Sequence, residues 1–153
     1  MPPAVHVREA CTEDISPILA FETAGFAEDA FSRRQIRYLI TRAKGICLAA
    51  LHNGTVVGYI AVLTSRRHRN GRIYSLAVAP DFRRMGIAGL LIDTVIEYAQ
   101  RTGLKTVSLE VRLDNQAAIT LYKKKQFMER SVKRAYYHDG TNACRMVLPI
   151  PIS

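Results

Sequence analysis

The spacing of apolar and polar positions changes along this chain and lays out its elements in order. Val5 to Glu9 alternates as a half-buried strand does. Thr12-Glu13-Asp14 then supplies an N-cap and first-turn acids for a helix predicted to reach about Ala24, with Gly25 as its breaker. After the connecting segment Phe26 to Phe31, Ser32 and Gln35 have capping-box spacing, and a second helix is predicted to about Arg42. Two apolar runs, Ile46 to Leu51 and Val56 to Ser65, flank His52-Asn53-Gly54-Thr55, whose Asn-Gly pair predicts an antiparallel hairpin. Arg72 to Val78 extends the meander until Pro80, which cannot continue a ladder.

The second half shifts between both periods. Ile87, Leu90, Leu91, Val95 and Tyr98 recur at helical spacing up to Gly103, a natural C-terminal cap. Thr106 to Glu110 reads as a strand, Asn115 to Lys125 as an amphipathic helix, and Phe127 to Tyr137 with Ala143 to Leu148 as a closing strand pair. The expected class is α/β, with a mixed, mostly antiparallel sheet of about six to seven strands and about four helices. At 153 residues, positions 1–153 fit one domain with one sizeable core.

Composition narrows the class only modestly. A hydrophobic share of 48% with 23% charged residues is that of a soluble globular protein. The longest apolar run, Val56 to Leu63, is far too short to span a bilayer, so no membrane partner is expected. The start lacks a basic region followed by an apolar one, and Cys11, Cys47 and Cys144 form no CxxC pair, so reduced thiols in the cytoplasm are expected. His6, His52, His68 and His138 have no paired ligand spacing, and no metal is predicted. The net charge of +9 suits nucleic acid or a polyphosphate ligand equally well. Its densest part, Arg66-Arg67-His68-Arg69, reads as a solvated loop rather than a nucleic-acid contact.

One segment carries chemistry. Between the strand ending at Val78 and the helix starting near Ile87 lies Arg83-Arg84-Met85-Gly86-Ile87-Ala88-Gly89. The first amides of a helix lack intrahelical partners and carry the positive end of its dipole, which makes such a junction an anion site. Gly86, Ala88 and Gly89 allow close backbone approach, and Arg83 and Arg84 add charge. The spacing matches neither GxGxxG nor the Walker A loop, which excludes those two phosphate motifs.

Val78 to Ala88 resembles the acetyl-CoA pyrophosphate loop of the GNAT superfamily of N-acetyltransferases, with its Q/R-x-x-G-x-G/A signature. Leu109-Glu110-Val111-Arg112, Asn115, Ala117-Ala118, Leu121-Tyr122 and Phe127 resemble the later motif of the RimI-type protein N-terminal acetyltransferases. The similarity covers nearly everything after residue 72. It implies the GNAT fold, acetyl-CoA as cosubstrate, and direct acetyl transfer to an amine in a ternary complex. It implies further that backbone groups of Leu76, Ala77 and Val78 adjoin the acetyl and pantetheine moieties, that Glu110 is the general base and Tyr122 the general acid, and that Asn115 contacts the cofactor. Tyr136 and Tyr137 lie where related enzymes close tyrosines over the peptide, with Phe26 and Phe31 as an opposite wall. Two departures stand out: Gln126 replaces the usual glycine before Phe127, and Phe26 to Ser32 lacks the subgroup's proline-tryptophan-serine run.

The acceptor implied is the N-terminal α-amine of a protein, a ribosomal protein among the candidates. Deprotonating an α-amine of pKa about 7.8 at pH 7 costs roughly 1 kcal/mol, against roughly 4.6 for a lysine near 10.4. A small amine such as a polyamine, aminoglycoside or amino acid stays open as acceptor, as does a non-catalytic acyl-CoA-binding module.

Overall fold

The computed structural model describes residues 4–26 and 31–151, with the side chains of 23–26 outside that description. Seven strands form one sheet: β1 (His6–Glu9), β2 (Gly45–His52), β3 (Thr55–Ser65), β4 (Asn70–Val78), β5 (Thr106–Arg112), β6 (Met128–Lys133) and β7 (Ala143–Pro149). They lie in the order β1-β2-β3-β4-β5-β7-β6, and all pairs are antiparallel except β4 with β5. The helices are α1 (Ile15–Phe26), α2 (Arg33–Thr41), α3 (Ile87–Thr102) and α4 (Gln116–Lys124).

Each face of the sheet buries its own apolar cluster. On one side Ile15, Ile18, Ile36 and Leu39 of α1 and α2 pack on Cys47, Ala49, Tyr59 and Ala77. On the other, Ile87, Leu91, Ile92, Val95, Ile119 and Tyr122 of α3 and α4 pack on Leu48, Ile60, Leu109 and Met146. Gly58 allows that second layer to seat closely, since an added Cβ would meet Ile87 Cγ2 at 3.3 Å and Ala77 O at 3.2 Å.

Three of the boundaries that differ from the sequence reading have an identifiable physical cause. Thr12-Glu13-Asp14 forms a short 3-10 turn rather than a helix cap, because Asp14 is drawn inward to a two-bond pair with Arg8 (2.7 and 3.0 Å) and accepts the Cys11 N–H (2.8 Å). Helix α1 runs through Gly25 to Phe26, since one interior glycine costs a helix only about 1 kcal/mol. Strand β6 stops at Lys133, short of the expected Tyr137. Ala135 turns left-handed (φ +49°) and gives its N–H to Asn142 Oδ1 at 2.9 Å, so the chain leaves the ladder and carries Tyr136 and Tyr137 into the β6–β7 connection.

Candidate active site

The site arises from a ladder that stops short. Strands β4 and β5 pair only from Asn70↔Thr106 to Ile73↔Leu109. Beyond that point β4 stays with β3 as far as Gly58↔Val78, and β5 stays with β7 as far as Arg112↔Ala143, so their facing edges part. The cause lies one residue on: the β3–β4 register slips between Ala61↔Ser75 and Val62↔Ile73, leaving Tyr74 as an extra, bulged residue. A cleft of about 430 Å³ opens there.

One wall of the cleft is Leu76, Ala77 and Val78 from β4, with Ala88 from α3. Opposite stand Glu110 to Arg112 of β5, and Asn115, Ala118, Leu121 and Tyr122 around α4. Backbone polar groups along a parted strand need partners, and a ligand in the cleft can provide them.

At the foot of α3 the loop from Arg83 to Gly89 has backbone geometry of a kind that suits an anion. Arg84 (φ +63°) and Gly86 (φ +81°) are both left-handed, and Gly86 is the N-cap of α3. The first helical bond joins Leu90 N–H to Gly86 O (3.0 Å), so the amides of Ile87, Ala88 and Gly89 lie ahead of it. Side chains in this stretch divide. Ile87 is buried in the core, so only its backbone can meet a ligand. Arg83 Nε donates to Val78 O (3.2 Å) and braces the loop, while Met85 is exposed. Gly89 faces away, its absent Cβ 3.3 Å from Lys125 Cε, whose ammonium pairs with Asp93 (2.9 Å). Asn115 caps α4 through Oδ1 on Ala118 N–H (3.2 Å), and its side-chain amide has no donor contact to a described residue.

Tyr122 is buried at 9% exposure in the cleft wall, and no described residue hydrogen-bonds its hydroxyl. Burial pushes its pKa up to about 12, further above neutral pH, where a tyrosine hydroxyl is in any case protonated and able to donate. Gln126 is what fixes its place. The chain keeps the left-handed turn there (φ +76°) without glycine, and closes α4 with Gln126 N–H on Lys123 O and Phe127 N–H on Tyr122 O, both 3.0 Å. The Tyr122 and Phe127 rings meet edge-on across that cap, 5.9 Å apart.

Glu110 has a 7% exposed side chain held by two cations: Arg72 Nε on Oε2 and Lys133 Nζ on Oε1, each at 3.1 Å. Its pairing with Arg72 was not visible in sequence. Arg112, the nearer partner in the chain, reaches instead to Asp114 (3.1 Å) and Asp139 (2.6 Å) and lies under the Tyr137 ring. Arg72 also donates to Tyr136 Oη (2.8 Å), and Tyr136 meets Tyr137 edge-on at 5.0 Å, so the β6–β7 connection is tied over the cleft. On the other rim Phe31 stacks on Tyr74 (5.3 Å, 5°). The side chain of Phe26 lies outside the described residues.

A second carboxylate lines the cleft, and sequence reasoning missed it. Glu22 of α1 is 1% exposed; Tyr59 Oη donates to its Oε2 (2.6 Å) and lies 2.7 Å from Ser75 Oγ. Burial raises its pKa, opposed by those hydroxyls and by the backbone N–H of Phe31. Its signal was available, because Ile15, Ile18 and Glu22 share one helical stripe and a lone acid there needs partners.

A strand, a left-handed glycine loop and a helix N-terminus stand together beside a parted β-sheet. Chain comparison gives the class: residues 12–127 match the Acetyltransferase (GNAT) family, and the protein belongs to that family of acetyltransferases. It is 30% identical over 156 residues to an N-alpha-acetyltransferase of Sulfolobus acidocaldarius, covering 95% of this chain and 92% of that one. It is 40% identical over 81 residues to the ribosomal protein bS18-alanine N-acetyltransferase of Escherichia coli, covering 51% and 55% respectively. The crystal structure of the Escherichia coli ribosomal-protein-S18-alanine N-acetyltransferase superposes with a TM-score of 0.89 at 25% identity, covering 98% of this chain and 96% of that one. The expected fold is thereby the observed one, and the family implies acetyl-CoA as cosubstrate. Among the described residues no helix is long and apolar enough to cross a membrane, and no group of three or more His, Cys, Asp or Glu is placed to hold a metal.

Proposed function

We propose that this acetyltransferase modifies the N-terminal α-amine of a protein or peptide. The observation that carries this reading is the shape of the acceptor side: the Phe31–Tyr74 stack and the tied Tyr136–Tyr137 pair flank one cleft, as walls for an extended chain. The N-alpha-acetyltransferase and ribosomal-protein relatives support it, and a ribosomal protein is one acceptor the likeness suggests. The free thiols suit cytoplasmic work.

Acetyl-CoA, when bound, supplies an activated thioester carbonyl and a thiolate leaving group. The amides of Gly86 to Gly89, with the backbone of Arg83, Arg84 and Met85, hold its phosphates, and the amide of Asn115 contacts it across the cleft. Backbone groups of Leu76, Ala77 and Val78 align the thioester and polarise its oxygen. Glu110, held in place by Arg72 and Lys133, orients a water that takes the proton of the acceptor amine, an easy transfer for an α-amine. Tyr122, protonated at neutral pH, returns a proton to sulfur. No metal enters the scheme, and nucleic acid is not an acceptor in it.

Peptides with free N-termini and a panel of small amines, compared under saturating acetyl-CoA by thiol release, test the reading. Peptides are expected to react with the higher kcat/KM, and a small-amine preference would overturn it. Glu110→Gln and Tyr122→Phe are each expected to lower kcat by about 10²–10⁴, the range for a lost acid or base. Unchanged rates would remove their roles.

A further inference from the structure

Next to the acceptor cleft lies a second cavity, on the far side of the Glu110–Arg72 pair. It holds about 540 Å³ and is bordered by Asn70, Arg72, Ser108, Glu110, Lys133 and Arg145, with Ser131 and Tyr136 at its edge. Helices α1 and α2 cover this face of the sheet over β2, β3 and β4. The cavity therefore sits on the part of that face formed by β5, β7 and β6.

Its walls are polar throughout. Asn70 Nδ2 donates to Ser108 Oγ (3.0 Å) and Thr106 Oγ1 donates to Asn70 Oδ1 (2.8 Å), which fixes the floor. Register places Glu110 and Ser131 on either side of Arg145. Three cations, Arg72, Lys133 and Arg145, thus face one carboxylate. Glu110 engages the first two, and Arg145 makes no ion pair with a described residue. The end at Asn70 adjoins the exposed turn Arg66-Arg67-His68-Arg69. A groove with surplus positive charge draws in anionic groups.

The groove and the acceptor cleft share Arg72, Glu110 and Tyr136 as common walls. An extended chain advances about 3.3 Å per residue, so the residues just after an acceptor's amine cross from one cavity to the other within a few positions.

We propose that this groove binds the acceptor segment following the N-terminal residue and selects acidic side chains there, Arg145 supplying the unpaired charge. The proposal rests on the peptide reading of the acceptor. It narrows that acceptor to N-termini with Asp or Glu at about the second to fourth positions.

Three peptides with one common first residue, carrying Asp, Ala or Lys at those positions, provide the test. In the wild type kcat/KM is expected to be about tenfold higher for the Asp peptide than for the Lys peptide, the gap shrinking as salt is raised. Arg145→Glu is expected to abolish or invert that order, read as the ratio of the Asp to the Lys peptide within the variant, while leaving the acetyl-CoA thermal shift unchanged, which separates charge selection from misfolding. Equal acetylation of the three peptides overturns the groove's role and leaves the peptide reading standing. So does an unchanged order in Arg145→Glu, or an RNA oligonucleotide that occupies the groove while peptide charge has no effect. Acetylation of small amines and of no peptide overturns both.

Discussion

At the scale of single residues, Gln126 and Glu22 show stability given up around the site. A non-glycine residue held left-handed costs about 1–2 kcal/mol, and Gln126 carries that cost at φ +76°. Gln126→Gly is expected to stabilise the fold by about 1 kcal/mol, read as a higher urea midpoint at constant slope, since glycine also gains freedom in the unfolded chain. A lower midpoint would mean that the Gln126 side chain makes a stabilising contact. Glu22 acts through protons. Its folded pKa is raised by burial above the unfolded value of about 4.3, so its contribution is fully present below that value and is lost as pH rises through the window between the two. Glu22→Gln removes the titration. The stability of wild type minus variant is expected to fall as pH rises through that window; a flat or rising difference would contradict the assignment. Asp14 works in the opposite sense. Burial alone would raise it, yet Arg8 and the Cys11 N–H bring it below its usual range, so its contribution is lost only as pH falls into the acid.

At the scale of elements, two irregularities make the site. The Tyr74 bulge ends the β4–β5 ladder, and the left-handed pair Arg84 and Gly86 turns the chain into α3 with its first amides forward. Gly86 is the more exacting position. Nothing lies within 4 Å of where its Cβ would be, so Gly86→Ala meets no clash but must hold φ +81° against about 1–2 kcal/mol of strain. A loop that relaxes to escape that strain loses its cradle. The acetyl-CoA thermal shift of Gly86→Ala is expected to fall well below that of wild type while the unliganded midpoint changes little. An equal shift would place the phosphates elsewhere.

The elements were unequally legible. The Asn53-Gly54 hairpin, the Ser32–Gln35 capping box and the Gly103 cap were readable because each depends on a few adjacent residues with one strong local preference. The Tyr74 bulge was not readable, since no residue type in Arg72 to Val78 marks an extra position and only the fit to β3 shows it. The end of β6 was hidden for the same reason, since the turn at Ala135 is held by Asn142 from the next strand.

At the scale of the whole molecule, the two helical layers clamp a sheet that is open in the middle. A ligand bound between β4 and β5 would join the two halves. Saturating acetyl-CoA at about 100 times its Kd is expected to add about 2.7 kcal/mol of stability, seen as a concentration-dependent rise in melting temperature. The absence of any rise would remove the cofactor assignment.

Period, capping residues and the loop motif sufficed for the class, the order of the elements and the family, because these are local patterns that each segment carries within itself. Val78 to Gly89 carried the family's loop signature in this way. The company of Glu110 was decided by tertiary structure alone. Its nearest basic neighbour in the chain, Arg112, turns to Asp114 and Asp139, while Arg72 and Lys133 arrive from β4 and β6. Glu22 joined the cleft in the same manner, through Tyr59 and Ser75 of two other strands. A charged group in a folded chain is satisfied by whatever the sheet register brings within about 3 Å, and register depends on every strand at once.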